Sequence, residues 1–350
     1  EMEQTLIENP SEQAYFSPDS FVEITPLNYE VDVKSQKDLS SIHLSEINLP
    51  KLGPKEVLLK NSSIGLNFID TYHRSGLYPL NLPSGIGVEG SGVVVETGSD
   101  VKLFKIGDRV AYSSMPIGAY SEMHIMPEEK LVSVPNDISH EIASSMLLKG
   151  MTCEYLLHRT YKVTSKDTIL FHAAAGGVGQ IFCQWAKKIG CKLIGTVGSD
   201  EKIEIAKKNG CDHVINYTTD NFAKKTLEIT DGKGVDVVYD GVGEKTFEGS
   251  IETLKIRGMF VTFGNASGPI KTIELKKHIA PKAIFITRPS VFPYTSTREE
   301  LEMSAKMVFE AFKEKKIKME IVKKYSLSEV RKAHEDLEAR KLKGPAIILT

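Results

Sequence analysis

The sequence predicts an α/β protein made of two architectures, a short-strand sandwich or partly open barrel and a doubly wound parallel sheet. Three observations carry this reading. From about residue 21 to 145, short β-branched or alternating runs are broken by Gly and Pro. From about 151 to 290 the rhythm changes to strand, helix, strand. Near the start of that second stretch a Gly-rich turn joins a buried-strand run to an amphipathic helix. At 350 residues, two domains are expected on length alone, at roughly 150 residues each.

Residues 1–20 are polar, contain Pro10 and Pro18 and show no periodicity, so a loosely ordered extension is expected there. Strand runs follow at Glu56 to Lys60, Ser91 to Glu96, Asp108 to Tyr112 and Leu131 to Pro135. In the middle block Asp167 to His172 reads as a buried strand, ending in Ala173-Ala174-Ala175-Gly176-Gly177-Val178-Gly179. The next helix places Val178, Ile181, Phe182, Trp185, Ala186 and Ile189 on one face. Lys192 to Val197 is a second strand, and four more are expected at 213–217, 235–240, 258–264 and 283–287. Six strands with helical segments between most of them make a complete doubly wound sheet. The last 60 residues, 291–350, carry two amphipathic helices and two short strands, too little to stand alone. They are expected to pack back on the first block. The first of these helices sets Leu301, Ala305, Val308, Phe309 and Phe312 on one face.

The strand, Gly-rich turn, helix, strand unit is the dinucleotide-binding pattern. Gly176 lets backbone approach a pyrophosphate and Gly179 lets helix and strand pack closely, while the helix N-terminus offers free N–H groups to the anion. Ala174 stands where the first glycine of the pattern belongs, so the context rather than the glycines alone carries the reading. The end of the second strand decides the cofactor. An NAD site wants an acid there for the ribose hydroxyl. This chain has Gly198-Ser199, then Asp200, Glu201 and Lys202. Lys202 can face a 2′-phosphate, which favours NADP. The alternative is that Ser199 caps the next helix and Lys202 is a solvated charge.

Composition narrows the function classes. The 44 Lys+Arg nearly cancel 46 Asp+Glu, for a net charge of −2, which lacks the footprint of a dedicated nucleic-acid or anionic-membrane binder. No apolar run approaches a membrane span, and the N-terminus shows no signal pattern. Four cysteines, Cys153, Cys183, Cys191 and Cys211, have no knuckle spacing and are expected to be reduced, buried thiols of a cytoplasmic enzyme.

The strings Asn67-Phe68-Ile69-Asp70-Thr71-Tyr72, Arg74-Ser75-Gly76-Leu77-Tyr78, Ala173 to Gly179, Ile215-Asn216-Tyr217 and Phe263-Gly264-Asn265 resemble those of the zeta-crystallin-type quinone oxidoreductases of the medium-chain dehydrogenase/reductase superfamily. The likeness runs from about residue 22 to the C-terminus, in order and spacing. It implies a GroES-like catalytic domain over 21–150 and 291–350, a Rossmann domain over 151–290, and an NADPH cleft at their junction. The resemblance places the NADPH pocket on Asn67, Tyr72, Thr152, Gly176, Gly177, Val178, Gly198, Ser199, Lys202, Tyr217, Phe263, Gly264 and Asn265. It also implies a homodimer or tetramer paired through the last Rossmann strand, near Ala283 to Arg288.

The zinc alcohol dehydrogenases of the same superfamily are the main rival. Where they place a Cys this chain has Asn67, and where they place a His in a Gly-His-Glu string it has Gly87-Val88-Glu89. The cysteine cluster of their structural zinc lobe is missing between Leu103 and Glu129. A zinc-independent hydride transfer to a quinone is therefore expected, a reaction that asks mainly for orientation and for donors at the quinone oxygens. Asn67, Tyr72, Tyr78 and Thr152 are the catalytic candidates. Cys153 and His172 read as core residues and Glu89 as a loop holder. Two other readings stay open, reduction of an α,β-unsaturated aldehyde or ketone and a non-catalytic NADPH-binding RNA binder. The basic stretches Lys313 to Lys324 and Arg331 to Lys343 are interleaved with acids and read as solvated helix faces.

Overall fold

Residues 28–350 are described by the computed structural model. The extension expected over 1–20, and positions 21–27 with it, lie outside the described residues. The first block runs β1 (Asn28–Val33), β2 (Ile42–Ile47), β3 (Glu56–Gly65), α1 (Phe68–Ser75), β4 (Ser84–Gly85), β5 (Glu89–Thr97), β6 (Arg109–Ser113), β7 (Met123–Pro127), β8 (Leu131–Ser133) and α2 (His140–Tyr155). The middle block alternates β9 (Thr168–Phe171), α3 (Gly177–Ile189), β10 (Lys192–Val197), α4 (Ile203–Lys208), β11 (His213–Asn216), α5 (Phe222–Ile229), β12 (Val235–Asp240), α6 (Phe247–Thr253), β13 (Leu254–Thr262) and β14 (Phe285–Thr287). The chain ends with α7 (Val291–Tyr294), α8 (Arg298–Lys313), β15 (Lys323–Ser326), α9 (Val330–Glu338) and β16 (Ala346–Leu349).

The middle strands form one parallel sheet in the order β11-β10-β9-β12-β13-β14. The first strand of this block lies at the centre, and the strand order reverses between β9 and β12. At such a switch point the turns leaving the two strands diverge and open a crevice at their carboxyl ends. The Gly-rich turn after β9 and the Asp240–Gly243 turn after β12 flank it here. Asp240 is buried and spends its carboxylate on that second turn, accepting from the N–H groups of Val242 at 2.7 Å and Gly243 at 2.9 Å.

The first block forms a seven-stranded sheet, β15-β16-β3-β5-β6-β8, with β7 pairing back onto β3. The two C-terminal strands join it, because β16 runs antiparallel to β3 from Ile347 opposite Gly65 to Leu349 opposite Ser63. A smaller sheet of β2, β1 and β4 adjoins it.

Helix α2 runs across residue 150 and ties the blocks together. One apolar cluster joins its Met146, Leu147 and Met151 to Ile181, Phe182 and Trp185 of α3 and to Leu301, Val308 and Phe309 of α8. The face expected of α8 is therefore buried, against α2. A second cluster fills the barrel beneath α9, and a third packs α5 and α6 on the far side of the parallel sheet. No helix among the described residues is long and apolar enough to cross a membrane.

Candidate active site

Two connected cavities lie along the crevice. The larger, about 550 Å³, is lined by Asn67, Tyr72, Tyr78, Lys149, Thr152, Phe171, Phe263, Arg288 and Phe292 among others. The smaller, about 120 Å³, is lined by Gly198, Lys202, Tyr217, Arg340 and neighbouring backbone. Phe68, Ala173, Gly176, Gly177 and Ala266 border both, so the two are one cleft. No Asp or Glu lines either part among the described residues.

The Gly-rich turn sits at the junction. Helix α3 begins at Gly177 after Gly176, which makes no side-chain cap, so its first N–H groups are free to meet an anion. Gly179 has no room for a side chain, because a Cβ there would stand 2.4 Å from the Ala173 carbonyl oxygen. At the far end, Lys202 Nζ donates to the Arg340 carbonyl at 2.9 Å, and Arg340 Nη1 donates to the Tyr217 hydroxyl at 2.7 Å. Burial, and then the Arg340 guanidinium beside it, hold the Lys202 ammonium below its usual range. Two cations brought together this way are relieved by an anion. The Ser199 side chain makes no helix cap, and its hydroxyl oxygen is buried without a partner. Asp200 is turned aside, accepting from Asn216 Nδ2 at 2.8 Å.

The larger cavity gathers the remaining candidates. Helix α1 presents Phe68 and Tyr72, with Tyr72 and Tyr78 edge to face at 5.4 Å between ring centroids. The Tyr72 hydroxyl accepts from the Asn265 backbone N–H at 3.1 Å, leaving its own proton for a ligand. Burial raises its pKa, so the proton is held firmly. Asn265 thus reaches the site through Tyr72. The Tyr78 hydroxyl accepts from Arg288 Nη2 at 3.2 Å, at the exposed rim. Thr152 donates to the Leu148 carbonyl at 2.8 Å. His73, on the cavity wall, is pushed down to about 4 by burial and is neutral at physiological pH.

Asn67 is held from both sides. Its Nδ2 donates to Glu89 Oε2 at 2.7 Å, and its Oδ1 accepts from Lys149 Nζ at 2.7 Å. Glu89 Oε1 also accepts from the Leu148 N–H at 2.7 Å, pinning α2 to the loop before α1. Its carboxyl is raised by burial, with Lys149 opposing. His172 is fully buried between Thr196 and Ser250, and Cys153 is a buried thiol raised well above its usual range. Neither is placed for chemistry.

Three residues of the cleft escaped the sequence reading. Arg340 lies in the stretch read as a solvated helix face, and here the structure corrects that reading. Just past the end of α9, Arg340 has a positive φ of 57°, and its side chain turns into the small cavity. Lys149 carried a readable signal, a single charge inside the apolar run Met146 to Met151. Arg288, at the end of the expected dimer edge, also lines the cavity.

Comparison with known proteins follows the same geometry. Residues 53–136 match the alcohol dehydrogenase GroES-like domain and residues 177–310 the zinc-binding dehydrogenase domain. A quinone oxidoreductase of Pseudomonas aeruginosa is 48% identical over 298 residues, 85% of this chain and 92% of that protein. The chain belongs to the quinone oxidoreductase family. A second relative, the 2-haloacrylate reductase of a Burkholderia species, is 42% identical over 87% of this chain and 93% of its own. The crystal structure of Escherichia coli quinone oxidoreductase complexed with NADPH superposes with a TM-score of 0.90, at 42% identity, covering 92% of this chain and all of that one. The architecture is accordingly the superfamily's, a GroES-like domain joined to a Rossmann sheet.

Two groups implied by this relationship can be tested against the residues. NADPH fits, since the cleft offers a free helix N-terminus and paired cations, and the partnerless Ser199 hydroxyl lies between the cavity-lining Gly198 and Lys202 in sequence. Zinc does not. At two positions of zinc ligands stand an amide (Asn67) and a buried isopropyl group (Val88), and an ammonium (Lys149) lies against Asn67. Among the described residues no three His, Cys, Asp or Glu side chains gather as a metal would need.

Proposed function

We propose that this quinone oxidoreductase family member is an NADPH-dependent quinone reductase that moves a hydride to a quinone with no metal at the reacting centre. The carrying observation is the single cleft that has a paired-cation pocket at one end and an aromatic cavity without carboxylates at the other. Lys202, Arg340 and Ser199 would hold the 2′-phosphate, the α3 N-terminus with Gly176 and Gly177 the pyrophosphate, and Thr152 and Asn67 the nicotinamide end. Bound there, NADPH supplies the hydride. Tyr72, Tyr78, Phe171, Phe263 and Phe292 wall a space suited to a flat ring and exclude water from it. Orientation of that ring, with donors at its oxygens, is most of what the reaction needs.

The rest of the reading follows the same lines. The GroES-like domain is taken as 21–150 with 291–350 and the Rossmann domain as 151–290, in a cytoplasmic enzyme. A homodimer would form by pairing β14, the last strand of the parallel sheet, with its copy. Phe285 on that strand is 59% exposed, and Ile256 and Leu275 of neighbouring segments are 71% and 73% exposed.

A second reading, reduction of a carbon–carbon double bond, is favoured by the 2-haloacrylate reductase relative. It needs a proton delivered to carbon, and the hydroxyl-bearing residues on the cavity wall are Tyr72, Tyr78, Thr152, Tyr155 and Ser290, with the Thr152 proton already donated to Leu148. Steady-state NADPH oxidation with p-benzoquinone, phenanthrenequinone, an enal and 2-chloroacrylate separates the two. Faster turnover of the quinones is expected, and a preference for the enal or the haloacrylate would move the reaction to double-bond reduction.

A further inference from the structure

The cleft contains a buried cation to which the family reading gives no role. Lys149 lies on α2, and the α2 residues facing the large cavity are Leu148, Lys149, Thr152 and Tyr155, one face of that helix. Its side chain is 7% exposed. A buried ammonium is costly unless its donors are used. It has three N–H donors. One goes to Asn67 Oδ1 at 2.7 Å and one to the Leu66 carbonyl at 3.3 Å. Glu89 Oε2, at 3.8 Å, balances the charge from beyond hydrogen-bond range. Among the described residues the third donor has no acceptor, and the group borders the cavity.

The same contacts lock the Asn67 amide. A carboxylate accepts only from the NH2 side and an ammonium donates only to the oxygen side, so Glu89 and Lys149 fix which way it points. Lys149 also sits against the start of α3, where a Cβ on Gly177 would stand 3.0 Å from its Cε. The cation therefore faces both the anion-binding helix end and the aromatic cavity.

We infer that Lys149 is a catalytic residue, a built-in cation whose free N–H hydrogen-bonds the substrate oxygen that becomes negative as the hydride arrives. This deepens, and rests on, the quinone reductase reading. The step balances. NADPH gives up one hydrogen with two electrons, the quinone becomes the hydroquinone monoanion, and a proton from solvent completes the hydroquinone while NADP+ remains. An ammonium needs no deprotonation to act this way, and a fixed donor aimed at developing charge contributes more in a dry site than in water. Exposed Arg288 at the rim marks the cavity's other end as cationic too.

Lys149→Gln, which can still donate to Asn67, and Lys149→Arg, which keeps the charge, provide the test. Each is compared with the unaltered enzyme by quinone kcat/KM, by NADPH Kd from fluorescence, and by the ionisation of p-nitrophenol bound to the NADP+ complex, read from the phenolate colour. For Lys149→Gln, kcat/KM is expected to fall about 100-fold. NADPH Kd should stay within about twofold, a difference under 0.5 kcal/mol. Bound p-nitrophenol should lose its preference for the phenolate, and Lys149→Arg should recover part of both effects. Unchanged kcat/KM in Lys149→Gln would overturn the inference, as would a loss confined to NADPH Kd, which would assign Lys149 to a cofactor phosphate. If the unaltered enzyme reduces no quinone, the quinone reductase reading fails on its own, and the phenolate titration still decides whether Lys149 is an oxyanion site.

Discussion

Lys202 and Arg340 are 138 positions apart and belong to different sheets' connections, yet they meet over one small cavity. A charge-assisted hydrogen bond to a phosphate is worth roughly 1.5–3 kcal/mol. Lys202→Ala is accordingly expected to raise NADPH Kd about ten- to hundred-fold and to leave NADH Kd nearly unchanged, as read by nicotinamide fluorescence titration. Lys202 was legible because it follows the second strand at a spacing the dinucleotide fold fixes. Arg340 was not, because its side chain reaches the cavity only through a left-handed residue beyond α9, a turn that local sequence does not announce. Asp70 makes a separate prediction. It is fully buried, accepts from Tyr120 at 2.7 Å and from the Asn67 N–H at 2.9 Å, and burial pushes it up to about 7. A carboxyl raised in the folded state keeps a proton that the unfolded chain has lost. Its contribution to stability is therefore complete below about pH 4 and is lost as pH rises through about 7. Asp70→Asn keeps the acceptor and removes the titration. Its Tm relative to the unaltered protein should therefore improve between about pH 5 and pH 8, and a constant difference across that range would contradict the placement of this carboxyl.

Helix α3 shows what a single element can and cannot disclose. Its apolar stripe and the glycines before it were readable from spacing alone, since Ile181, Phe182, Trp185 and Ala186 recur every three or four residues and are all buried. Gly179→Ala would drive a methyl group to 2.4 Å from the Ala173 carbonyl oxygen. The backbone must shift, which costs about 1–3 kcal/mol of stability. A lower urea midpoint at unchanged m-value, with weaker NADPH binding, is expected. Helix α2 was harder. Its residues are nearly all buried, so no polar face marks its orientation, and it crosses the boundary drawn at residue 150. Helix α1 and strands β1 and β2 were not singled out as elements, because each short run takes its direction from partners distant in the chain, such as Tyr120, whose carbonyl accepts from the Val31 N–H at 2.8 Å.

For the whole molecule, the doubly wound sheet was legible strand by strand because parallel strands buried on both faces are continuous apolar runs. The barrel was readable only as a class, since its sheet depends on β16 finding β3 across more than 280 positions. The C-terminal segment that carries β16 also brings α9 and Arg340 onto the Rossmann crevice, so the cleft needs that segment as well as the first two blocks. If the exposed β14 edge is the dimer interface, Phe285→Glu should yield monomers in sedimentation velocity without loss of the folded circular dichroism spectrum. Assembly unchanged by that substitution would place the interface elsewhere. The central claim is that this cleft delivers a hydride from NADPH to a quinone with protein cations alone. It is tested most directly by single-turnover stopped flow with p-benzoquinone, NADPH and NADH in parallel, with and without a strong metal chelator. Rapid loss of nicotinamide absorbance with NADPH, slow loss with NADH and indifference to the chelator are predicted. Equal use of NADH, abolition by the chelator, or no oxidation of bound NADPH by the quinone would contradict it.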